Sequence, residues 1–95
     1  MTLDELDTRL DLWHSTKYPN VWWPRTFLKL GEEYGEFSEA LRKENIQEAS
    51  LEAADIIFIL FNLIRHLGGD LPKALVQKLV IIEARLTDPN AGRSK

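Results

Sequence analysis

Apolar residues recur at intervals of three and four along nearly the whole chain, the spacing of amphipathic helices. Leu3, Leu6, Leu10 and Trp13 mark a first helix over about residues 3–16, with Thr2 and Glu5 placed as a capping box. Tyr18 to Pro24 reads as a loop, punctuated by Pro19-Asn20 and closed by Pro24. Phe27, Leu30, Tyr34, Phe37 and Leu41 form the apolar stripe of a second helix over about residues 25–42. Asn45 caps a third helix, with Glu48 at its third position, and Gly68-Gly69 stops it near Leu67. Asp70 caps a fourth, with Pro72 tolerated in its first turn. Leu71, Leu75, Leu79, Ile82 and Leu86 are its expected inner face. Asp88-Pro89 ends it, and residues 88–95 read as a loose tail. With no repeat, low-complexity tract or linker, residues 1–95 read as one all-α domain.

The third helix changes this picture. Ile56, Ile57, Phe58, Ile59, Leu60, Phe61, Leu63 and Ile64 leave almost no polar side, broken only at Asn62. A helix that is apolar all round must be covered all round, and three short neighbours in a 95-residue chain hardly suffice. The expectation is a four-helix protomer whose core is completed by homodimerisation, with Phe58, Phe61 or Leu63 in the contact.

Composition narrows the chemistry. The chain has no cysteine, which removes disulfides, zinc-thiolate sites and thiol nucleophiles and fits a cytoplasmic location. A net charge of -3 gives no general attraction for nucleic acid or anionic membranes. The opening Met-Thr-Leu-Asp-Glu-Leu lacks the regions of a signal peptide, and the longest apolar run is too short to span a bilayer.

The candidate chemistry lies in two acidic clusters, Glu32-Glu33-Tyr34-Gly35-Glu36 on the second helix and Glu52-Ala53-Ala54-Asp55 on the third. Helical geometry puts Glu32, Glu33 and Glu36 within an arc of roughly 100°, and Glu52 and Asp55 within roughly 60°. If the two helices pair antiparallel, these carboxylates converge. Such a cluster repels itself without a counter-charge, and an oxygen-only donor set suits a hard cation, Mg²⁺ or Mn²⁺. The alternative is a solvated acidic face. Against it, the first cluster contains no lysine to mix the signs. Gly35 sits mid-helix, where a missing side chain would let another group approach the backbone. Glu52 and Asp55 run directly into the most apolar segment.

These residues resemble a known family. Leu30-Gly31-Glu32-Glu33-Tyr34-Gly35-Glu36-Phe37, then Glu52-x-x-Asp55 and an apolar helix, closely resemble the MazG-like all-α nucleotide pyrophosphohydrolases. The likeness continues through Gly69-Asp70-Leu71 to Lys78 and Arg85 and covers roughly residues 22–86. The resemblance implies a four-helix protomer that dimerises, or forms dimers of dimers, and Mg²⁺-dependent hydrolysis of nucleoside triphosphates to the monophosphate and pyrophosphate. It implies that Glu33, Glu36, Glu52 and Asp55 hold metal, with Glu32 as ligand or as the base that activates water. Relatives often carry an acidic residue and an asparagine on the last helix, where this chain has Val80 and Ile82. Those two are therefore expected to line an apolar floor, with broad base preference.

Other residues keep two readings each. Lys78 and Arg85, seven apart and so on one side of the fourth helix, either hold a triphosphate or face the negative end of the helix dipole. Lys29 is either a further phosphate contact or a surface partner of Glu32 and Glu33. Trp22 and Trp23, in the loop before the second helix, include a platform for a nucleobase, or else anchor the loop and an interface. His14 and His66 are acid–base candidates or ordinary helix residues. No nucleophile triad or Gly-rich phosphate loop is present. Two rivals to the main reading remain. Phosphoribosyl-ATP pyrophosphohydrolases share similar acidic motifs but usually show a Tyr-His pair soon after the aspartate, where this chain has Ile57-Phe58 or Phe58-Ile59. A non-catalytic helical dimer that binds metal or a protein partner is the other.

Overall fold

A computed structural model describes residues 1–20 and 23–87. Four helices follow one another: α1 (Leu3–Lys17), α2 (Trp23–Arg42), α3 (Ile46–His66) and α4 (Leu71–Ala84). The described residues contain no strand.

The helix boundaries follow from local chemistry. At α1 the Glu5 amide donates to Thr2 Oγ1 at 3.1 Å and the Thr2 amide to Glu5 Oε1 at 3.2 Å, so the reciprocal box forms. The Glu48 amide donates to Asn45 Oδ1 and the Lys73 amide to Asp70 Oδ1, capping α3 and α4. At the end of α3 the Gly69 amide reaches Ile64 O at 2.8 Å and the Gly68 amide reaches Arg65 O at 2.9 Å. This double closure puts Gly68 at φ 85°, in the left-handed region. A Cβ on Gly69 would stand 2.6 Å from Ile64 Cγ2, so the tight exit needs both glycines. The same closure ends α2, but there a glutamate, Glu44, takes the left-handed position at φ 56°.

Two boundaries differ from the sequence expectation. Trp23 is the first residue of α2, with Pro24 inside the first turn, where proline forfeits no helical hydrogen bond. α4 closes at Ala84, before the expected stop. Asp88-Pro89 and the expected tail lie outside the described residues.

The short link from Arg42 to Ile46 folds α3 back along α2, and this hairpin makes the most extensive packing in the protein. Ala40 and Ala49, both buried, let the two backbones approach near the turn. α3 also touches α1 and α4, so it is the central helix. Its buried residues lie on opposite sides: Ile59 and Leu63 on one, Phe61, only 1% exposed, about 200° away. Phe61 and Leu63 are thus covered by their own chain, which corrects their expected place in a contact between copies. Three neighbouring helices thus cover part of the nearly all-apolar α3, while Ile57 and Leu60 stay exposed.

More uncovered apolar surface lies on α4. On α4 only Pro72 is buried; Leu75, Val76, Leu79, Val80, Ile81 and Ile82 are 43–60% exposed. Of the expected inner face of α4, Leu71 is half-buried, and Leu75, Leu79, Ile82 and Leu86 are exposed. α2 departs in a telling way too. Phe27, Tyr34 and Leu41 of the expected stripe are exposed, Leu30 and Phe37 are half-buried, and the buried positions of α2 are Glu33 and Ala40. A glutamate occupies an inner position of the hairpin.

α1 is held by charge as much as by apolar contact. The Arg65 guanidinium of α3 pairs with the Asp7 carboxylate, donates to the Asp7 carbonyl at 3.2 Å, and lies 3.6 Å from Asp11. Its other arm donates to Asn62 Oδ1 at 2.8 Å.

Candidate active site

Antiparallel pairing of α2 and α3 brings the inner line of α2 against the start of α3. Glu33, Glu36 and Glu52 each present a carboxylate oxygen within 4.8 Å of the others. Glu33 is buried, at 8% exposure. Glu33 Oε2 and Glu52 Oε2 have neither solvent contact nor a hydrogen-bond partner. Two ionised carboxylates accept only, so they cannot satisfy one another. A proton or a cation must complete the site. The Glu52 carboxyl accordingly rises from 4.5 to about 7: sharing a proton with Glu33 favours its neutral form most, burial comes next, and Glu36 adds hydrogen bonding and charge.

Glu33 also faces a cavity of about 810 Å³, and Asp55, one turn beyond Glu52, lines the same space. That volume suits a small organic ligand. Trp13 and Tyr18 from the end of α1 and Phe58 from α3 supply its aromatic surface. Trp13 and Tyr18 meet edge-to-face, with ring centroids 6.0 Å apart. Arg25 and Lys29, from successive turns of α2, bring positive charge to it. Lys29 Nζ stands 3.9 Å from Glu32 and 4.0 Å from Glu33. His14, Thr26 and Asn62 border both this cavity and a smaller one of about 290 Å³. Burial, then the Arg65 charge, lowers the His14 pKa, with a smaller push from His66 and a partial offset from Asp11.

The expected site residues thus divide. Glu33, Glu36 and Glu52 come together, and Asp55 joins Glu33 at the cavity. Glu32 does not: about 100° round the helix from Glu33, its side chain is 71% exposed and faces Lys29. Lys29 is a surface partner of Glu32 and Glu33 and also borders the cavity. Lys78 and Arg85 are not brought in by one chain. α4 packs on α3 and α1, Lys78 is exposed, Arg85 forms the C-cap of α4, and neither borders either cavity. Val80 and Ile82 lie exposed and floor neither cavity, because their helix runs elsewhere. Trp23, on α2 rather than in a loop, borders only the smaller cavity. Trp22 lies outside the described residues. A Cβ on Gly35 would meet nothing within 4 Å, so no group of this chain exploits the missing side chain.

Sequence reasoning passed over the cavity wall. In the sequence Trp13 belongs to an apolar stripe and Phe58 to the expected contact between copies, while Tyr18, Arg25 and Thr26 carry no motif. Asn62 had a usable signal, since a lone amide in an otherwise apolar helix calls for a polar partner.

The described helices thus bring three carboxylates together, one of them buried, beside a ligand-sized cavity. The sequence model of the family described as phosphoribosyl-ATP pyrophosphohydrolase matches residues 8–79, and the chain belongs to that family. Its enzymatic character, hydrolysis of a nucleotide pyrophosphate bond, follows at that level. Comparison with curated proteins and with solved structures returns no match.

Proposed function

We propose that the protein is a Mg²⁺-dependent nucleoside triphosphate pyrophosphohydrolase of MazG-like type, releasing a nucleoside monophosphate and pyrophosphate. The observation that carries this reading is the pair of orphaned buried oxygens, on Glu33 and Glu52, beside Glu36 and at the edge of the cavity. The donor set is all oxygen and lies between two helices, which fits a hard divalent cation. Glu33, Glu36 and Glu52 would hold it, with Asp55 the nearest further carboxylate on the cavity side. Such an ion supplies polarisation of the phosphoryl oxygens and a more acidic bound water.

The chain's own groups do the rest. Arg25 and Lys29 attract the phosphates, and Lys29 offsets the charge of Glu33. Trp13, Tyr18 and Phe58 offer apolar faces to a base and exclude water. The nucleotide is thus held with its phosphates toward the acidic cluster and its base toward α1. Attack of water on the α-phosphorus breaks the α–β anhydride bond and expels pyrophosphate.

The bare apolar side of α4 supports assembly. A second copy covering it gives a homodimer, which is also the route by which Lys78 or Arg85 would reach a phosphate. No helix among the described residues is long and apolar enough to cross a membrane, and a cytoplasmic enzyme acting on free nucleotides fits this reading.

The family match favours a second reading, in which phosphoribosyl-ATP is the substrate. One assay separates the two: pyrophosphate release from a panel of ribo- and deoxynucleoside triphosphates and phosphoribosyl-ATP, with and without Mg²⁺. Release from ordinary triphosphates, dependent on Mg²⁺ and lost in Glu36→Gln, supports the first reading. Release from phosphoribosyl-ATP alone supports the second, and no release from any nucleotide leaves only a binding role.

A further inference from the structure

We propose that Asn62 reads the nucleobase, that it selects a carbonyl at the edge facing it, and that Arg65 sets this choice. The inference rests on the reading that the larger cavity holds a nucleotide. Asn62 borders both cavities and is half-buried. Its Oδ1 accepts from the Arg65 guanidinium at 2.8 Å. An asparagine amide is ordinarily ambiguous, since its oxygen and nitrogen are interchangeable in shape. Here the neighbour removes the ambiguity. Arginine has donors only and does not deprotonate, so the atom facing it must be oxygen. The Asn62 Nδ2 amino group is then turned away from Arg65, and no hydrogen bond among the described residues engages it.

Arg65 cannot easily yield this position. It pairs with the Asp7 carboxylate, donates to the Asp7 carbonyl and lies beside Asp11, all on α1. Three features of α1 thus fix a guanidinium on α3, which fixes an amide at the cavity. With Oδ1 engaged by Arg65, the group that Asn62 has left to offer the cavity it borders is a donor. A donor matches a carbonyl oxygen and opposes an exocyclic amino group, and a site whose buried polar group goes unpaired rejects the wrong ligand. Uracil, thymine and guanine offer that carbonyl, whereas cytosine and adenine carry an amino group at the equivalent position. Placement agrees with this role. Asn62 follows Asp55 by seven residues, two turns and about 10 Å along α3, so phosphates near Asp55 leave the base beside Asn62.

The test uses mononucleotide binding, which requires no turnover. Calorimetry compares uridine and cytidine 5′-monophosphate, equal in size and different at the 4-position. The wild-type chain should bind the uridine compound roughly tenfold more tightly, the scale of one hydrogen bond gained against one donor left unpaired. Asn62→Asp presents acceptors only and should reverse the preference. Asn62→Ala should bring the ratio close to one. In Arg65→Gln the residue at 65 both donates and accepts, so the amide is free to turn and the ratio should also approach one. A merely structural role for Arg65 would weaken both ligands equally. Should Arg65→Gln fail to fold, the two Asn62 variants decide. Equal wild-type affinities, binding of neither compound, or a ratio unmoved by Asn62→Asp would overturn the proposal. Pyrophosphate release measured in parallel keeps the two readings apart: turnover without discrimination defeats the role of Asn62 alone, and discrimination without turnover defeats hydrolysis alone.

Discussion

Replacing Glu33 with glutamine should stabilise the metal-free protein and remove its response to Mg²⁺. Glu33 is buried, and its carboxylate lies within 4.8 Å of that of Glu36. Two unit charges at that separation repel by about 1 kcal/mol in a water-like medium and about 3.5 kcal/mol at an effective dielectric of 20. Glu36 is exposed, so the lower part of that range applies, about 1–2 kcal/mol. The opposing loss is the ion pair with Lys29, 4.0 Å away with the lysine 61% exposed; such a pair is worth at most about 0.5 kcal/mol. The amide also gains a donor that can face the Glu36 or Glu52 carboxylate. Repulsion relieved therefore exceeds attraction lost. For a domain of this length 1 kcal/mol moves the melting temperature by roughly 4–8 °C, so Glu33→Gln should melt several degrees higher in EDTA at pH 8. Wild-type protein should gain stability as Mg²⁺ is added, because the ion binds only the folded arrangement, and the variant should not. Thermal melts followed by far-UV circular dichroism, with and without Mg²⁺, measure both effects. A lower melting point for Glu33→Gln without metal would refute the repulsive cluster and make Glu33 a structural partner of Lys29.

Other outcomes follow from the same geometry. The Glu52 carboxyl is raised from 4.5 to about 7, so between those values the folded chain holds a proton that the unfolded chain has lost. Metal-free stability should be fullest below about pH 4.5 with respect to this group and should fall as pH rises through 7; melts of wild type and Glu52→Gln across that window check it, and parallel curves would contradict it. Glu44→Gly should raise stability by about 1 kcal/mol, since glycine takes the left-handed position at φ 56° without a Cβ penalty, as denaturant titration will show. Phe61→Ala should cost about 3–5 kcal/mol through the cavity it leaves, whereas Leu79→Glu on α4 should leave the protomer folded and change only its sedimentation behaviour. Trp13→Ala should raise KM for all nucleotides with less effect on kcat, because stacking on one face is worth roughly 1–3 kcal/mol and ignores base identity; an unchanged KM would move the base away from α1.

The legible parts of the fold were those fixed by neighbours in sequence. Thr2 with Glu5, Asn45 with Glu48, and Gly68-Gly69 each set a helix end through contacts within a few residues, and each formed as its spacing predicts. The convergence of Glu33, Glu36 and Glu52 was legible for a related reason: helical spacing plus a short α2–α3 turn leaves one antiparallel register. What failed was the choice of face. Periodicity finds an apolar stripe but does not say whether this chain or another molecule covers it. Phe61 and Leu75 look alike in sequence, yet one is the best-buried residue and the other is nearly half exposed. The cavity was illegible because its wall joins Trp13 and Tyr18 to Phe58 and Asn62 across a contact between α1 and α3 that no local pattern encodes.

That contact depends on a polar device. α1 has no buried residue, so apolar burial alone fixes it weakly. Arg65 supplies the missing specificity by gripping Asp7 and Asp11. A half-buried guanidinium is costly to desolvate and is repaid by well-placed acceptors and counter-charges. Here these are the Asp7 carboxylate and carbonyl, the Asn62 amide oxygen and the nearby Asp11 carboxylate. The same network that seats α1 therefore shapes the cavity wall opposite the acidic cluster. Loosening α1 should then disturb ligand binding before it disturbs the α2–α3 hairpin, whose buried alanines and whose Glu33, Glu36 and Glu52 owe nothing to α1. Asp7→Asn should weaken nucleotide affinity several-fold while leaving Mg²⁺-dependent stabilisation intact, as parallel calorimetry and thermal melts will show. Loss of both together would mean that the acidic cluster and the cavity are one cooperative unit, and that the hairpin does not hold the metal site by itself.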